Sequence, residues 1–301
     1  MTARLPTALW KFSRPHAFLG TLVAILGLYL IAAARAGSIG VGLAPLGIAL
    51  VACLSAAVFI VGLNQYYDVE IDRINKPFLP LASQELSVRQ AQVILALSAL
   101  VPLALGLSQG GYLLGTILVS MIIGSAYSAP PVRLKRSPFY AATCIVVVRA
   151  FVINLGLFLH FDQVVGGPGT VPAAVWALVA LTLLFSLVIA VSKDIPDTEG
   201  DRRHGIMTLP RKLGARRVFQ LGRATLTGAY LALIGASVVG WIAGVDGWVL
   251  VVGHGLLLAA LWLRSRSVVP EDQRSITPYY LFLWRLFQLE YVLFPATALL
   301  P

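Results

Sequence analysis

The fold class this sequence predicts is an all-α, polytopic membrane protein of about nine transmembrane helices. Three observations predict it. The 301 residues are 58% apolar and only 12% charged, with a mean hydropathy of +0.84, whereas soluble domains carry about 25% charged residues. Apolar runs long enough to cross a hydrocarbon core, roughly 20 residues of helix, recur nine times. The Lys and Arg residues gather at alternate connections between those runs, as they do when cytoplasmic loops are basic. Together these exclude a water-soluble globule, a disordered tail and a nucleic-acid module, despite a net charge of +10. Cys53 and Cys144 lie far apart in apolar runs, which excludes a disulfide scaffold and fits packing residues.

The runs fall near 17–36, 43–64, 88–107, 111–128, 138–160, 171–192, 218–243, 247–264 and 279–300. Each must be helical, because a backbone in lipid has to satisfy its own hydrogen bonds. Gly110-Gly111 and the stretch 244–247 are short connections, so the third and fourth runs and the seventh and eighth read as tight hairpins. The first run is too long and too late for a cleavable signal peptide, and Met1–His16 lacks the composition of a transit sequence. A single unit over 1–301 in a bacterial-type inner membrane is expected. With the N-terminus cytoplasmic, 19 of the 23 Lys and Arg fall on the inner side. Arg149, Arg223 and Arg285 then lie within helices and Arg35 near the outer face. The C-terminus is expected outside.

The carboxylates are as uneven. Eight of thirteen fall in two inner segments, Asp68, Glu70, Asp72 and Glu85, then Asp194, Asp197, Glu199 and Asp201. Asn64, Asp68 and Asp72 stand at i, i+4 and i+8, which on a continuous helix places an amide and two carboxylates on one face over about 12 Å. Asp194, Asp197 and Asp201 stand at i, i+3 and i+7, the other spacing that makes one stripe. Four runs separate the clusters, an even number, so both return to the same membrane face. Either cluster alone reads equally as a solvated turn. Two stripes at one face, each surrounded by cations, suit Mg²⁺: a hard ion that takes a few carboxylates and completes its shell with water and phosphate oxygens.

A prenyl diphosphate matches that setting, with a hydrocarbon tail for the bilayer and a charged head for the interface. Metal and basic side chains that neutralise the leaving group favour ionisation of the allylic carbon–oxygen bond. The carbocation must be kept from water, and aromatic faces such as Tyr66, Tyr67, Tyr127, Trp284, Phe287 and Tyr291 can stabilise it. The ordinary reading of those rings is interfacial belt or core packing.

These residues resemble the UbiA-type intramembrane aromatic prenyltransferases, whose two aspartate-rich motifs match Asn64-Gln-Tyr-Tyr-Asp68-Val-Glu-Ile-Asp72 and Asp197-Thr-Glu-Gly-Asp201. The resemblance implies about nine helices around a central cavity open to the membrane and the cytoplasmic face. Four stretches are similar to the homogentisate prenyltransferase branch, which makes tocopherol and plastoquinone precursors: 64–87 with Asn75-Lys76-Pro77 and Leu79-Pro80-Leu81-Ala82-Ser83, then 11–30, 127–160 and 282–295. It implies that Asn64, Asp68, Asp72, Asp194, Asp197 and Asp201 bind Mg²⁺ and through it the diphosphate. Lys193, Arg133, Lys135, Arg136 and Lys212 become candidates for direct diphosphate contact, with Lys193 foremost because it adjoins the second stripe. Each is also readable as a topology determinant. Where many members carry Tyr-xxx-Lys in the fourth-to-fifth loop, Tyr127 is followed at that spacing by Pro131.

Ionisable groups at bilayer depth are functional candidates by default. Arg149 in the fifth run is one partner for the carboxylate of an aromatic acid; the alternative is an Arg149–Glu290 or Arg285–Glu290 structural pair. His254 reads as a packed, hydrogen-bonded histidine. The expected function is prenyl transfer from a prenyl diphosphate to homogentisate, with loss of the acceptor carboxylate as CO₂ implied by the resemblance alone. The partners are these two substrates and the bilayer, with no protein partner implied. Rival readings are the same chemistry on 4-hydroxybenzoate, a naphthoate or a porphyrin-type carboxylate, and a cation-coupled transporter. Transporter sites usually sit near the midplane at broken helices in repeat pairs, whereas these acids crowd one interface.

Overall fold

Residues 4–196 and 208–300 are described by a computed structural model, and among them there is no strand. Among the described residues, nine long helical rods carry the chain. They are α2 (Pro15–Arg35), α3 (Leu43–Tyr67), α5 (Val88–Gln109), α6 (Gly111–Ser128), a rod over Pro138–Val164, α9 (Ala173–Ser192), α11 (Ala215–Val238), α12 (Gly247–Ser265) and α13 (Gln273–Leu299). The rod over Pro138–Val164 consists of α7 (Pro138–Val146), a π-helical turn (Val147–Ile153) and α8 (Asn154–Val164). Short helices α1 (Arg4–Phe12), α4 (Val69–Asn75) and α10 (Leu209–Leu213) flank them.

Among the described residues, eight of the rods are long and apolar enough to cross a membrane, and the chain is an integral membrane protein. The ninth, α13, is long but more polar, because it carries Arg285, Gln288 and Glu290. It turns Trp284, Phe287, Glu290, Tyr291 and Phe294 inward and buries them. Glu290 and Gln288 are therefore met by protein, through Tyr230, His254 and the His16 carbonyl, which is the tolerated arrangement at bilayer depth, whereas Arg285 is exposed.

One boundary falls where the apolar runs place it, and three differ, each for a local reason. The hairpin at Gly110 forms as expected, with φ +97 at the glycine between α5 and α6. The seventh run stops five residues early, at Val238. There Trp241 N donates to Ala236 O (3.0 Å) and Gly240 N to Ser237 O (3.1 Å), a helix-ending pattern that needs the left-handed glycine at 240. Trp241 and Ile242 are consequently loop residues despite their apolarity. The ninth run starts earlier, at Gln273, where Asp272 accepts from Arg274 N at 3.0 Å. The second run continues to Tyr67 and breaks at Asp68 (φ −111, ψ 13) before α4 begins.

Lipid offers no hydrophobic force to drive helices together, so close packing of small residues does more of the work. The pairing of α2 with α13 depends on it. A Cβ added at Gly27 would lie 2.5 Å from the Tyr291 carbonyl oxygen, and one at Gly20 would lie 3.2 Å from the Trp284 ring. Polar side chains tie the other side of α13. Tyr230 Oη on α11 donates to Glu290 Oε1 at 3.0 Å, and His254 Nε2 on α12 lies 3.0 Å from Glu290 Oε2. His254 Nδ1 is 2.7 Å from the Leu250 carbonyl, so Nδ1 is the donor there. All three side chains are fully buried. His254 is thus the packed, hydrogen-bonded residue expected. The alternative pairing of Glu290 with Arg149 or Arg285 gives way to this triad, because Glu290 points to α11 and α12.

Candidate active site

The junction of α3 and α4 places the first acidic motif at one end of the bundle. Asn64 occupies the last turn of α3, Asp68 the break, and Asp72 the middle of α4. The continuous helical face expected for these three is therefore interrupted at Asp68. Two bonds preserve their proximity: Asn64 Nδ2 donates to Asp68 Oδ2 at 3.0 Å, and Asp72 N donates to Asp68 O at 2.8 Å. Asp72 is 5% exposed. Burial of this kind is costly for a carboxylate unless charge is gathered around it.

Cations are gathered there. The connection after α6 supplies Arg133, whose Nη2 lies 2.9 Å from Asp68 Oδ1, and Lys135, whose Nζ lies 2.5 Å from Asp68 Oδ2. Arg14, between α1 and α2, donates from Nη2 to Asn64 Oδ1 at 3.4 Å. Burial draws the Lys135 ammonium below its ordinary pKa against the opposing attraction of Asp68. Arg14 and Arg133 both hold left-handed backbone, φ 51 and φ 40. Such conformations cost about 1–3 kcal/mol each in a non-glycine residue and gather where surrounding structure over-determines them.

A second strand of contacts leads to the other motif. Lys193, just past α9, donates from Nζ to Tyr127 Oη at 2.8 Å and lies 4.0 Å from Asp194 Oδ1. Tyr127 and Arg133 leave the same end of α6. Asp194 therefore stands at the same end of the bundle as Asp68, as the even number of intervening rods requires. Asp197 and Asp201 lie outside the described residues. Lys212 is exposed on α10, apart from these contacts.

Arg149 belongs to the inner wall rather than this rim. It projects from the π-helical turn with its guanidinium 4.3 Å above the Trp284 ring. Both line a cavity of about 150 Å³ between α2, α3, α6, the π-helical turn and α13, together with Phe287, Tyr291, Thr116 and Ser120. Sequence reasoning treated Arg14 as a topology residue and passed over His16, whose ring packs 5.1 Å from Trp284 and 6.3 Å from Tyr280. The signal was available: Pro15 after Arg14 marks the first position of a helix, which puts Arg14 and His16 at its mouth. Among the described residues, no three His, Cys, Asp or Glu side chains form a metal cluster by themselves. The oxygens of Asn64, Asp68, Asp72 and Asp194 are nonetheless the hard donors a divalent ion of this class takes.

Against known proteins, residues 18–286 match the UbiA prenyltransferase family. The chain belongs to that family. It is 44% identical to a homogentisate phytyltransferase of a Synechocystis species over 98% of this chain and 96% of that one. It is 40% identical to homogentisate phytyltransferase 1, chloroplastic, of Arabidopsis thaliana over 96% of this chain and 74% of that one. The UbiA fold itself appears in a solved structure of a UbiA homolog from Archaeoglobus fulgidus bound to GPP and Mg²⁺, with a TM-score of 0.64 and 18% identity, covering 96% of this chain and 99% of that one.

Proposed function

We propose that this chain transfers a prenyl group from a prenyl diphosphate to homogentisate in a Mg²⁺-dependent reaction, with 1–301 acting as one catalytic unit. The observation that carries this reading is an acidic, cation-rimmed site, Asn64–Asp68–Arg133–Lys135, whose Asn64 stands on the same helix that lines an aromatic-walled cavity as far as Val61, in a chain so similar to an enzyme named for that acceptor. The fold supports the bilayer as its medium. The 19 inner-side Lys and Arg support a cytoplasmic site and N-terminus, with the C-terminus outside.

Asn64, Asp68, Asp72 and Asp194, with Asp197 and Asp201, would hold the metal. When bound it would neutralise the leaving diphosphate and so favour ionisation of the allylic carbon–oxygen bond. Lys193, Arg133, Lys135 and Lys212 would hold the diphosphate itself. Arg133 and Lys135 are suited to this because they already sit on Asp68 and have only to exchange one anion for another. Trp284, Phe287 and Tyr291 exclude water from the allylic cation and offer it their ring faces. The acceptor ring then attacks the allylic carbon, whose bond to the diphosphate has broken, and rearomatises as the attacked ring carbon gives up its proton to the released diphosphate.

Two outcomes follow. Chelation with EDTA should abolish turnover, and added Mg²⁺ should restore it. Lys193→Ala should raise KM for the prenyl diphosphate about tenfold or more, the scale of one lost hydrogen bond to a charged group, with Tyr127→Phe giving a smaller rise. The acceptor assignment is tested by incubating membranes with a panel of prenyl diphosphates and either homogentisate or 4-hydroxybenzoate, with product mass as readout. Prenylated product from homogentisate is expected; product from 4-hydroxybenzoate alone would overturn the assignment.

A further inference from the structure

We infer that Arg149 anchors the carboxylate of the aromatic acid acceptor, and that Asn154 is the positioning residue that aims it. The inference rests on the prenyltransferase reading above and specifies how the acceptor is chosen. Arg149 Nη1 is buried and has no hydrogen-bond partner. No carboxylate among the described residues pairs with it, since Glu290 is taken by Tyr230 and His254. Around it lie the Trp284 face at 4.3 Å, the phenols of Tyr127, Tyr280 and Tyr291, and the His16 ring. A cation at bilayer depth without a counter-ion is costly and persists where an anion completes it.

The chemistry of the surroundings selects the anion. The diphosphate has its own cations at the rim, Arg133, Lys135 and Lys193, whereas Arg149 lines the aromatic cavity. A planar ring bearing a carboxylate satisfies both features: the ring packs among Trp284, Phe287 and Tyr291, and the carboxylate takes the unpartnered Nη1 in a charge-assisted hydrogen bond.

The backbone is arranged to present this side chain. Arg149 sits in a π-helical turn, a distortion that appears frequently at functional sites. Asn154 braces the turn from one side chain: one Nδ2 hydrogen is shared between the carbonyls of Arg149 (3.1 Å) and Ala150 (3.0 Å), and the other is donated to Thr182 Oγ1 (2.9 Å). Its Oδ1 accepts from Tyr291 Oη at 2.9 Å. The turn is thereby tied to α9 and α13, and Asn154 itself is fully buried.

The test compares homogentisate with its neutral amide, binding each to the purified full chain in nanodiscs and following tryptophan fluorescence. KM for homogentisate and for the prenyl diphosphate are measured alongside. The wild type should bind the acid at least about tenfold more tightly than the amide, a difference of about 1.4 kcal/mol. Arg149→Gln should erase that preference and raise KM for homogentisate, with KM for the diphosphate within about twofold of wild type. Arg149→Lys should retain part of the preference and guards against loss of fold. Asn154→Leu should raise KM for homogentisate and leave that for the diphosphate. Equal binding of acid and amide by wild type, a preference that survives Arg149→Gln, or a rise confined to the diphosphate KM would each overturn the inference. Binding needs no turnover, so an acid preference without any prenyl product would count against the enzymatic reading alone.

Discussion

Asp68→Asn should reduce turnover by at least about 100-fold, the scale seen when a group that stabilises developing charge is removed, while the protein stays folded in detergent. Asp68 is the point at which the site's charges meet: Asn64, Arg133 and Lys135 all contact its carboxylate. Asparagine keeps the shape and one acceptor oxygen, so α3 and α4 should keep their junction. It removes the negative charge that would draw a divalent ion and that holds two cations beside the leaving group. Glu70→Gln is the control, because Glu70 lies two residues away with its side chain 76% exposed and pairs locally with Arg73. It should stay near wild-type turnover. Steady-state rates at saturating homogentisate and donor, with size-exclusion profiles of each variant, make the comparison.

Gly27→Ala should destabilise the bundle by about 2–3 kcal/mol, the upper part of the range for forcing extra volume into a packed interior. The new Cβ would meet the Tyr291 carbonyl oxygen at 2.5 Å. A backbone atom in the middle of α13 cannot rotate aside as a side-chain tip can, so the α2–α13 pair must separate. Trp284 and Tyr291 ride on the displaced helix, and activity should fall with stability. Gly47→Ala in α3 has nothing within 4 Å of its added Cβ. There alanine's better helix propensity should leave stability unchanged or raise it by up to about 1 kcal/mol. The fraction of protein remaining monodisperse after heating separates the two.

The rods and the basic end were legible in the sequence because both are read one residue at a time: lipid demands apolar length, and loops carry charge by side. The pairing of Asp68 with the end carrying Asp194 followed from the parity of the rods alone. What escaped the sequence depends on tertiary partners. Glu290 shares its helix with Arg285, one of the two partners the alternative reading gave it, yet its carboxylate turns to Tyr230 and His254, a choice made by how α11 and α12 pack on α13. The break at Asp68 has no glycine or proline to announce it; the chain bends where Arg133 and Lys135 pull on its carboxylate. The π-helical turn is equally silent, since Val147–Ile153 reads as an ordinary apolar helix and only the reach of Asn154 back to two carbonyls marks it. Arg14 doubles as an orientation signal, which masks its reach to Asn64.

Diphosphate release measured together with product mass, in proteoliposomes given homogentisate and a prenyl diphosphate, tests the central claim most directly. The account predicts one diphosphate released per prenylated aromatic product, with Mg²⁺ present and not with EDTA. Accumulation of homogentisate or cations inside the vesicles, with no diphosphate released from donors of any chain length, would contradict it.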